Sequence, residues 1–288
     1  MPELPEVETI KNELLPYILG HCITGVTLFW DGIVRQPSIG EFCSRLIGQR
    51  ITSVNRRGKY LLLDLTSDEV FIIHLKMSGS LLLKPASSEP DKYIRAILYL
   101  NGETELHFRD PRKFGAMWLV KDRNTIIGKL GPEPLEDGFT PQTLSQRLNN
   151  RTAPIKALLF DQGFIAGIGN MYADEALFAS RIHPLRPGGS LSRDEIQRLH
   201  TAIIKVLKAA IDNRGASIVN YYRPGGELGT AHFQFSVAHR GGKPCPICGT
   251  FIERIPIRNR GSYFCPQCQR NYLSVNQLST GKSYNSGN

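Results

Sequence analysis

Apolar positions in the first 120 residues fall in short runs: "ITGVTLFW", "KYLLLDL", "EVFIIHLKMSGSLLL", "YIRAILYL", "TELHF" and "AMWLV". Turn signals such as Asn101-Gly102 and "PASSEPD" separate them, the pattern of antiparallel strands in a sandwich or barrel. Ahead of the runs, Pro5 at a first helical position with Glu6 and Glu8 in the first turn predicts a helix start that complements the helix dipole. The period then changes. "GKLGPEPLEDGFTPQ" is a Pro- and Gly-rich connector, after which Thr140 and Pro141 predict a helix start as cap and first residue. Ser192 and Glu195 form a capping box ahead of Ile196, Leu199, Ile203, Val206, Leu207 and Ala210, an apolar stripe at helical spacing.

Between these helices, "APIKALLFDQGFIAGIGNMYADEALFASRI" reads as helix, Gly-punctuated turn, helix, with Asn170 placed to cap the second helix. Such a turn offers backbone N–H groups to an anion, so a phosphate contact is expected there. Residues 225–242 read as loop. The expected class is α+β and multidomain: an antiparallel β-sandwich over 1–132, a mainly helical domain over 133–234, a cysteine-bearing hairpin over 235–272 and a polar, disordered tail over 273–288.

The 288 residues with 41% apolar content suffice for more than one core. No apolar run approaches the ~18 residues that cross a bilayer. The acidic amino terminus lacks the cationic and apolar regions of a signal peptide, so a cytoplasmic protein is expected. Thirty-five Lys and Arg against 26 Asp and Glu leave a net charge of +9, which suits a polyanionic partner. From Arg240 to Arg270 six basic residues face one acid, Glu253, so part of that excess is concentrated near the carboxyl end.

Cys245-x2-Cys248, a gap of 16 residues, then Cys265-x2-Cys268 is the spacing of a four-thiolate zinc site. The competing reading is two disulfides, which nothing in the chain favours through an oxidising compartment. One zinc would staple a small β-hairpin with too little core to fold alone. Cys22 and Cys43 read as buried small apolar side chains. The seven histidines show no pair at a ligating spacing, so the expected metal is structural.

Two further stretches invite chemistry. In "DPRKFG", Arg112 and Phe114 lie two apart and project from one face if the chain is extended, while "HLKMSG" supplies Met77. An apolar wedge, a cation and an aromatic can fill the hole left by a nucleotide swung out of a duplex. Equally, Met77 and Phe114 could be core, with Arg112 paired to Asp110. At the amino terminus Pro2 and Glu3 precede the helix. Removal of Met1 would leave Pro2 a free secondary amine beside a carboxylate.

"MPELPEVE", "RRGKYLLL", "HLKMSGSL", "DPRKFG", "LGPEPL", "DQGFIAGIGNMYADEALF" and the four-cysteine finger, in that order over residues 1–272, resemble the bacterial formamidopyrimidine-DNA glycosylase family. The resemblance implies a bifunctional enzyme of base excision repair. It would excise oxidised purines, chiefly 8-oxoguanine and formamidopyrimidines, from damaged double-stranded DNA and nick the strand by β,δ-elimination. It also implies an amino-terminal catalytic β-sandwich, a helix-two-turn-helix domain, a zinc hairpin, and a DNA groove between the domains of a monomer acting at the bacterial nucleoid.

By the same resemblance Pro2 is the nucleophile, Glu3 handles protons and Lys59 is a catalytic cation near the lesion. Met77, Arg112 and Phe114 fill the void, and Arg151, Lys156, Asn170 and Arg260 grip the backbone, with Arg260 also assisting δ-elimination. The loop around Gly225 would close over the everted base. The chain departs from the family pattern twice. "DKYIR" stands where a His-x-His is usual, so a DNA contact passes to Lys92 or is lost. "VAHRGG" and "SIVNYY" also differ from the usual lesion-loop residues. The rival readings are an endonuclease VIII-like enzyme for oxidised pyrimidines and a non-catalytic zinc-hairpin DNA-binding protein.

Overall fold

The computed structural model describes residues 1–218 and 221–271; the tail expected over 273–288 and two positions of the expected lesion loop lie outside the described residues. Two compact units result. One comprises 1–136, 161–169 and 207–234, the other 137–160, 170–206 and the chain from 235 on.

In the first unit, α1 (Leu4–Ile18) precedes nine strands: β1 (Ile23–Leu28), β2 (Val34–Gln36), β3 (Ile51–Arg57), β4 (Tyr60–Leu65), β5 (Val70–His74), β6 (Ser80–Pro85), β7 (Ile94–Leu100), β8 (Thr104–Arg109) and β9 (Ala116–Val120). A short α2 (Ile39–Leu46) lies between β2 and β3, and α3 (Asn124–Ile127) follows β9. The strands form a four-stranded sheet, order β1-β7-β8-β6, and a five-stranded sheet, order β2-β9-β5-β4-β3. Every pairing is antiparallel except the short parallel contact of β2 with β9.

Side chains from both sheets, among them Leu61, Phe71, Ile73, Leu98, Leu106 and Phe108, share one core with Val7, Ile10, Leu14 and Ile18 of α1. The i, i+3, i+4 spacing of those helix positions sets one stripe of α1 against that core. Cys22 and Cys43, read as buried, are half-buried. Asn101-Gly102 turns β7 into β8.

Register decides where the loops gather. Tyr60 pairs with both Arg57 and His74, and His74 pairs with Ala116. The β3–β4 turn, the chain leaving β5 and the chain entering β9 therefore lie side by side at one end of the five-stranded sheet.

The second unit is mainly helical, with α4 (Pro141–Leu148), α5 (Ile155–Leu159), α6 (Asn170–Ser180) and the amino-terminal part of α7 (Arg193–Asp212), followed by the hairpin β10 (Glu253–Ile257) and β11 (Arg260–Phe264). The caps act as the sequence predicts: Thr143 N–H donates to Thr140 Oγ1 at 3.1 Å, and Ser192 and Glu195 exchange hydrogen bonds of 2.8 and 3.2 Å. Among the described residues no helix is long and apolar enough to cross a membrane.

Candidate functional site

Pro2 and Glu3 are buried, with Glu3 capping α1. Glu3 N–H donates to Glu6 Oε2 at 2.7 Å, and Glu3 Oε2 accepts from Gly169 N–H at 2.7 Å. Leu4 N–H donates to Gly167 O at 3.0 Å. The anion held by the Gly-punctuated turn is thus Glu3, where the sequence suggests phosphate. Glycine is required at both contact points. A Cβ on Gly169 would lie 2.3 Å from Glu3 Cδ, and Gly167 has φ +84 with Leu4 2.6 Å from the place of its Cβ. Gln162 shapes this turn, accepting from Gly167 N–H at 2.9 Å and donating to Ile168 O at 2.7 Å.

Glu6 does more than complement a helix dipole. Its carboxylate is fully buried and also accepts from Ala216 N–H at 2.8 Å. The start of the expected lesion loop and the chain terminus therefore share one carboxylate. Glu8 does not serve the dipole alone either, since it takes Lys11 at 2.6 Å and Arg56 at 2.7 Å.

Lys59 is buried in the β3–β4 turn. Glu133, from the "LGPEPL" connector, holds that turn, accepting from Arg56 at 2.5 Å, Arg57 at 2.9 Å and Gly58 N–H at 2.8 Å. Beside Lys59, burial first and then the Lys76 and Lys59 charges push the His74 imidazole down to about 3. Its Nδ1 accepts from Lys76 N–H at 2.9 Å, so neutral His74 presents Nε2–H as a donor.

Met77 is half-buried in the turn after β5; Arg112 and Phe114 stand exposed in the turn between β8 and β9, Phe114 at 45%. Phe114 is therefore not core, and Arg112 meets Asp110 through its backbone N–H, which donates to Asp110 Oδ1 at 3.2 Å, with no guanidinium–carboxylate ion pair between them among the described residues. The Arg112 guanidinium lies 4.8 Å from the Phe114 ring centroid. The Asp110 carboxylate also accepts from the N–H groups of Phe114 and Gly115, each at 2.7 Å, and from Ser78 Oγ at 2.5 Å. That last bond ties the Met77 turn to the Arg112 turn. Asp110, Glu133, Gly169 and Gln162 all lie inside the quoted motifs; the first three act on partners distant in sequence, while Gln162 acts on Gly167 and Ile168 within its own motif. Lys92 is exposed, its ammonium 5.2 Å from the Tyr93 ring.

In the second unit, Arg151 and Arg260 are exposed, Arg260 at the start of β11 after a two-residue turn. Asn170 opens α6, but its Oδ1 caps nothing; Nδ2 donates to Gly261 O at 2.9 Å. Lys156, which the resemblance sets among the residues that grip the DNA backbone, is 0% exposed, and its ammonium meets Asp174 at 2.6 Å. Glu175 accepts from the N–H groups of Ser236, Val237 and Ala238 at 2.8–2.9 Å, holding the segment ahead of the cysteine finger.

The sulfurs of Cys245, Cys248, Cys265 and Cys268 all lie within 4.8 Å of one another. Contacts of 3.4 to 3.9 Å exceed a disulfide bond of ~2 Å. They fit the edge of about 3.8 Å that a tetrahedron with Zn–S near ~2.3 Å requires. The chain has one structural zinc site here, and four thiolates leave no open position for catalysis.

Three family models match the chain: the formamidopyrimidine-DNA glycosylase N-terminal domain over residues 1–117, the formamidopyrimidine-DNA glycosylase H2TH domain over 130–221, and the zinc finger found in FPG and IleRS over 242–271. The formamidopyrimidine-DNA glycosylase of Chloroflexus aurantiacus is 47% identical over 273 residues, 93% of this chain and 98% of that protein. That of a Roseiflexus species is 42% identical, covering 94% and 100%. Among solved structures, a Lactococcus lactis FPG mutant in complex with a Fapy-dG containing DNA has a TM-score of 0.88 at 33% identity, covering 94% of this chain and 100% of that one. The MutM (FPG) protein of Thermus thermophilus has a TM-score of 0.84 at 39% identity, covering 93% and 98%.

Proposed function

The chain belongs to the formamidopyrimidine-DNA glycosylase family, and from that premise we propose that it excises oxidised purines from duplex DNA and then cuts the strand at the abasic site. The observation that supports this most directly is the buried Pro2-Glu3 terminus, with Glu3 pinned by Gly169 N–H and Glu6. A carboxylate held that firmly beside the terminal nitrogen is preorganised for proton transfer.

Once Met1 is removed, Pro2 is a terminal secondary amine. An α-amino group titrates near ~8 and a lysine near ~10.4, so at pH 7 the terminal amine is the more available nucleophile by roughly a hundredfold. Pro2 nitrogen attacks the anomeric carbon and the glycosidic bond breaks, its electron pair leaving with the base. Glu3 moves protons as the sugar ring opens. The resulting imine of a secondary amine is a fixed cation and accepts the electrons released when a proton is lost in β- and then δ-elimination. Lys59, held by the Glu133-braced turn, supplies positive charge near the lesion nucleotide.

Met77, Arg112 and Phe114 occupy the space the everted nucleotide leaves. Lys92, Arg151, Asn170 and Arg260 contact the phosphate backbone, with Arg260 also assisting δ-elimination. Zinc, when bound, supplies the staple that lets the basic hairpin hold its shape. We assign catalysis to 1–132, helix-two-turn-helix and lesion-loop functions to 133–234, and the zinc finger to 235–272, in a monomer acting on nucleoid DNA in the bacterial cytoplasm.

The test is borohydride trapping on an 8-oxoguanine duplex, followed by peptide mapping. A covalent adduct at Pro2 and a nicked strand are expected. An adduct at Lys59, or full lyase activity in protein that retains Met1, overturns the assignment.

A further inference from the structure

Arg260 sits at the tip of its hairpin, directly after Arg258 and Asn259, whose φ values are +45 and +59. A two-residue turn with both central residues left-handed is tight, but it constrains the strands relative to each other and not the tip relative to the rest of the unit. The metal does not supply that constraint. Cys265 is the nearest cysteine in sequence, five residues from Arg260, or about 17 Å along an extended strand. Something else must aim the tip.

Two side chains reach Gly261 O, the carbonyl next to Arg260. Asn170 Nδ2 donates to it at 2.9 Å, and Lys156 Nζ stands at 3.5 Å, the long limit of a hydrogen bond. Lys156 is held in place by Asp174 at 2.6 Å, and neither side chain is more than 1% exposed. An ion pair buried that deeply is no more stabilising than well-packed apolar residues of the same size. Its presence is explained if the ammonium is there to donate to the hairpin, since a charged donor makes the stronger bond.

We propose that Lys156 and Asp174 are a positioning pair for Arg260, holding the Gly261 carbonyl so that the neighbouring guanidinium is aimed at the phosphate of the abasic strand. This rests on the reading of Arg260 as a group that assists δ-elimination. Neither member of the pair touches DNA. Asp174 places the ammonium, the ammonium with Asn170 places the carbonyl, and the carbonyl fixes the origin of the Arg260 side chain.

The experiment uses the full chain with zinc bound and a duplex carrying a preformed abasic site, reading the ratio of δ- to β-elimination product. The variants are Arg260→Ala, Lys156→Met/Asp174→Leu, which removes both charges together, and the combination of all three substitutions. The charge-free variant is expected to keep its zinc and to lower δ-product formation by on the order of 10²-fold, the scale set by about 1 Å of misplacement. Adding it to Arg260→Ala should lower the ratio by less than about twofold further, because both changes act through one guanidinium.

A pair variant with the wild-type ratio, while Arg260→Ala is impaired, overturns the positioning role alone. So do fully additive losses. An Arg260→Ala enzyme with the wild-type ratio overturns the parent reading of Arg260 and this proposal with it. Should the charge-free variant fail to bind zinc, Asp174→Asn and Lys156→Arg carry the same comparison: Asp174→Asn, which loses the charge, should shift the ratio, and Lys156→Arg, which keeps charge and donor, should shift it less.

Discussion

Replacing Phe114 by Ala separates a side chain that acts on DNA from one that holds the fold. With Phe114 45% exposed, about half of the ~200 Å² of an aromatic side chain is covered. At ~25 cal/mol per Å² this sets a ceiling near ~2.5 kcal/mol. Part of that cover is the Arg112 guanidinium stacked at 4.8 Å, which stays in water after the substitution. The unfolded chain also keeps some of its contacts, so the expected loss is about 1 kcal/mol. For a chain of this size that lowers Tm by about 2–4 °C, whereas emptying a core site costs about 3–5 kcal/mol and would lower it by roughly 10 °C. The functional loss falls elsewhere. A base stacked on an aromatic ring gains about 1–3 kcal/mol, so single-turnover excision of 8-oxoguanine from duplex should slow roughly 10- to 100-fold. Cleavage at a preformed abasic site, where no base has to leave the stack, should slow far less. Calorimetry and the two single-turnover assays on one preparation decide the matter. A fall in Tm near 10 °C, or equal slowing on the two substrates, refutes the reasoning.

Three further outcomes are expected. Gly169→Ala should slow base excision by on the order of 10²-fold, since its Cβ would lie 2.3 Å from Glu3 Cδ and must displace the carboxylate; an unchanged single-turnover rate would show that Glu3 need not be held. Cys248→Ser should release zinc and abolish duplex binding while the sandwich stays folded, as followed by metal analysis, circular dichroism and fluorescence anisotropy; wild-type affinity in metal-free protein counts against a necessary finger. His74, pushed down to about 3, binds its proton in the unfolded chain before it does so in the folded one, so its contribution to stability is intact above pH 6.5 and declines as pH falls toward 3. By pH 5 that amounts to about 2 kcal/mol, and His74→Gln should unfold in denaturant with a correspondingly shallower loss between pH 7 and 5; parallel pH profiles for the two proteins would contradict it.

The features legible from sequence were those whose cause is local. Strand runs, the Thr140 and Ser192 caps and the cysteine spacing each depend on groups a few residues apart, where covalent geometry already limits the outcome. The motif set that marks Pro2 and Glu3 was legible for a different reason: it is recognised as a pattern without any knowledge of distance. Tertiary structure alone decided which charges meet. Glu133 reaches back to Arg56 and Arg57, Gly169 reaches Glu3 across 166 positions, and Glu6 meets Ala216 across 210. A carboxylate in a sequence carries no record of its partner, because pairing over such separations is set by strand register and helix packing. Lys156 makes the same point from the opposite side. Read along the chain it is one more cation for DNA, and only the fold, by setting Asp174 against it at 2.6 Å, withdraws it from solvent and turns it toward the hairpin that carries Arg260.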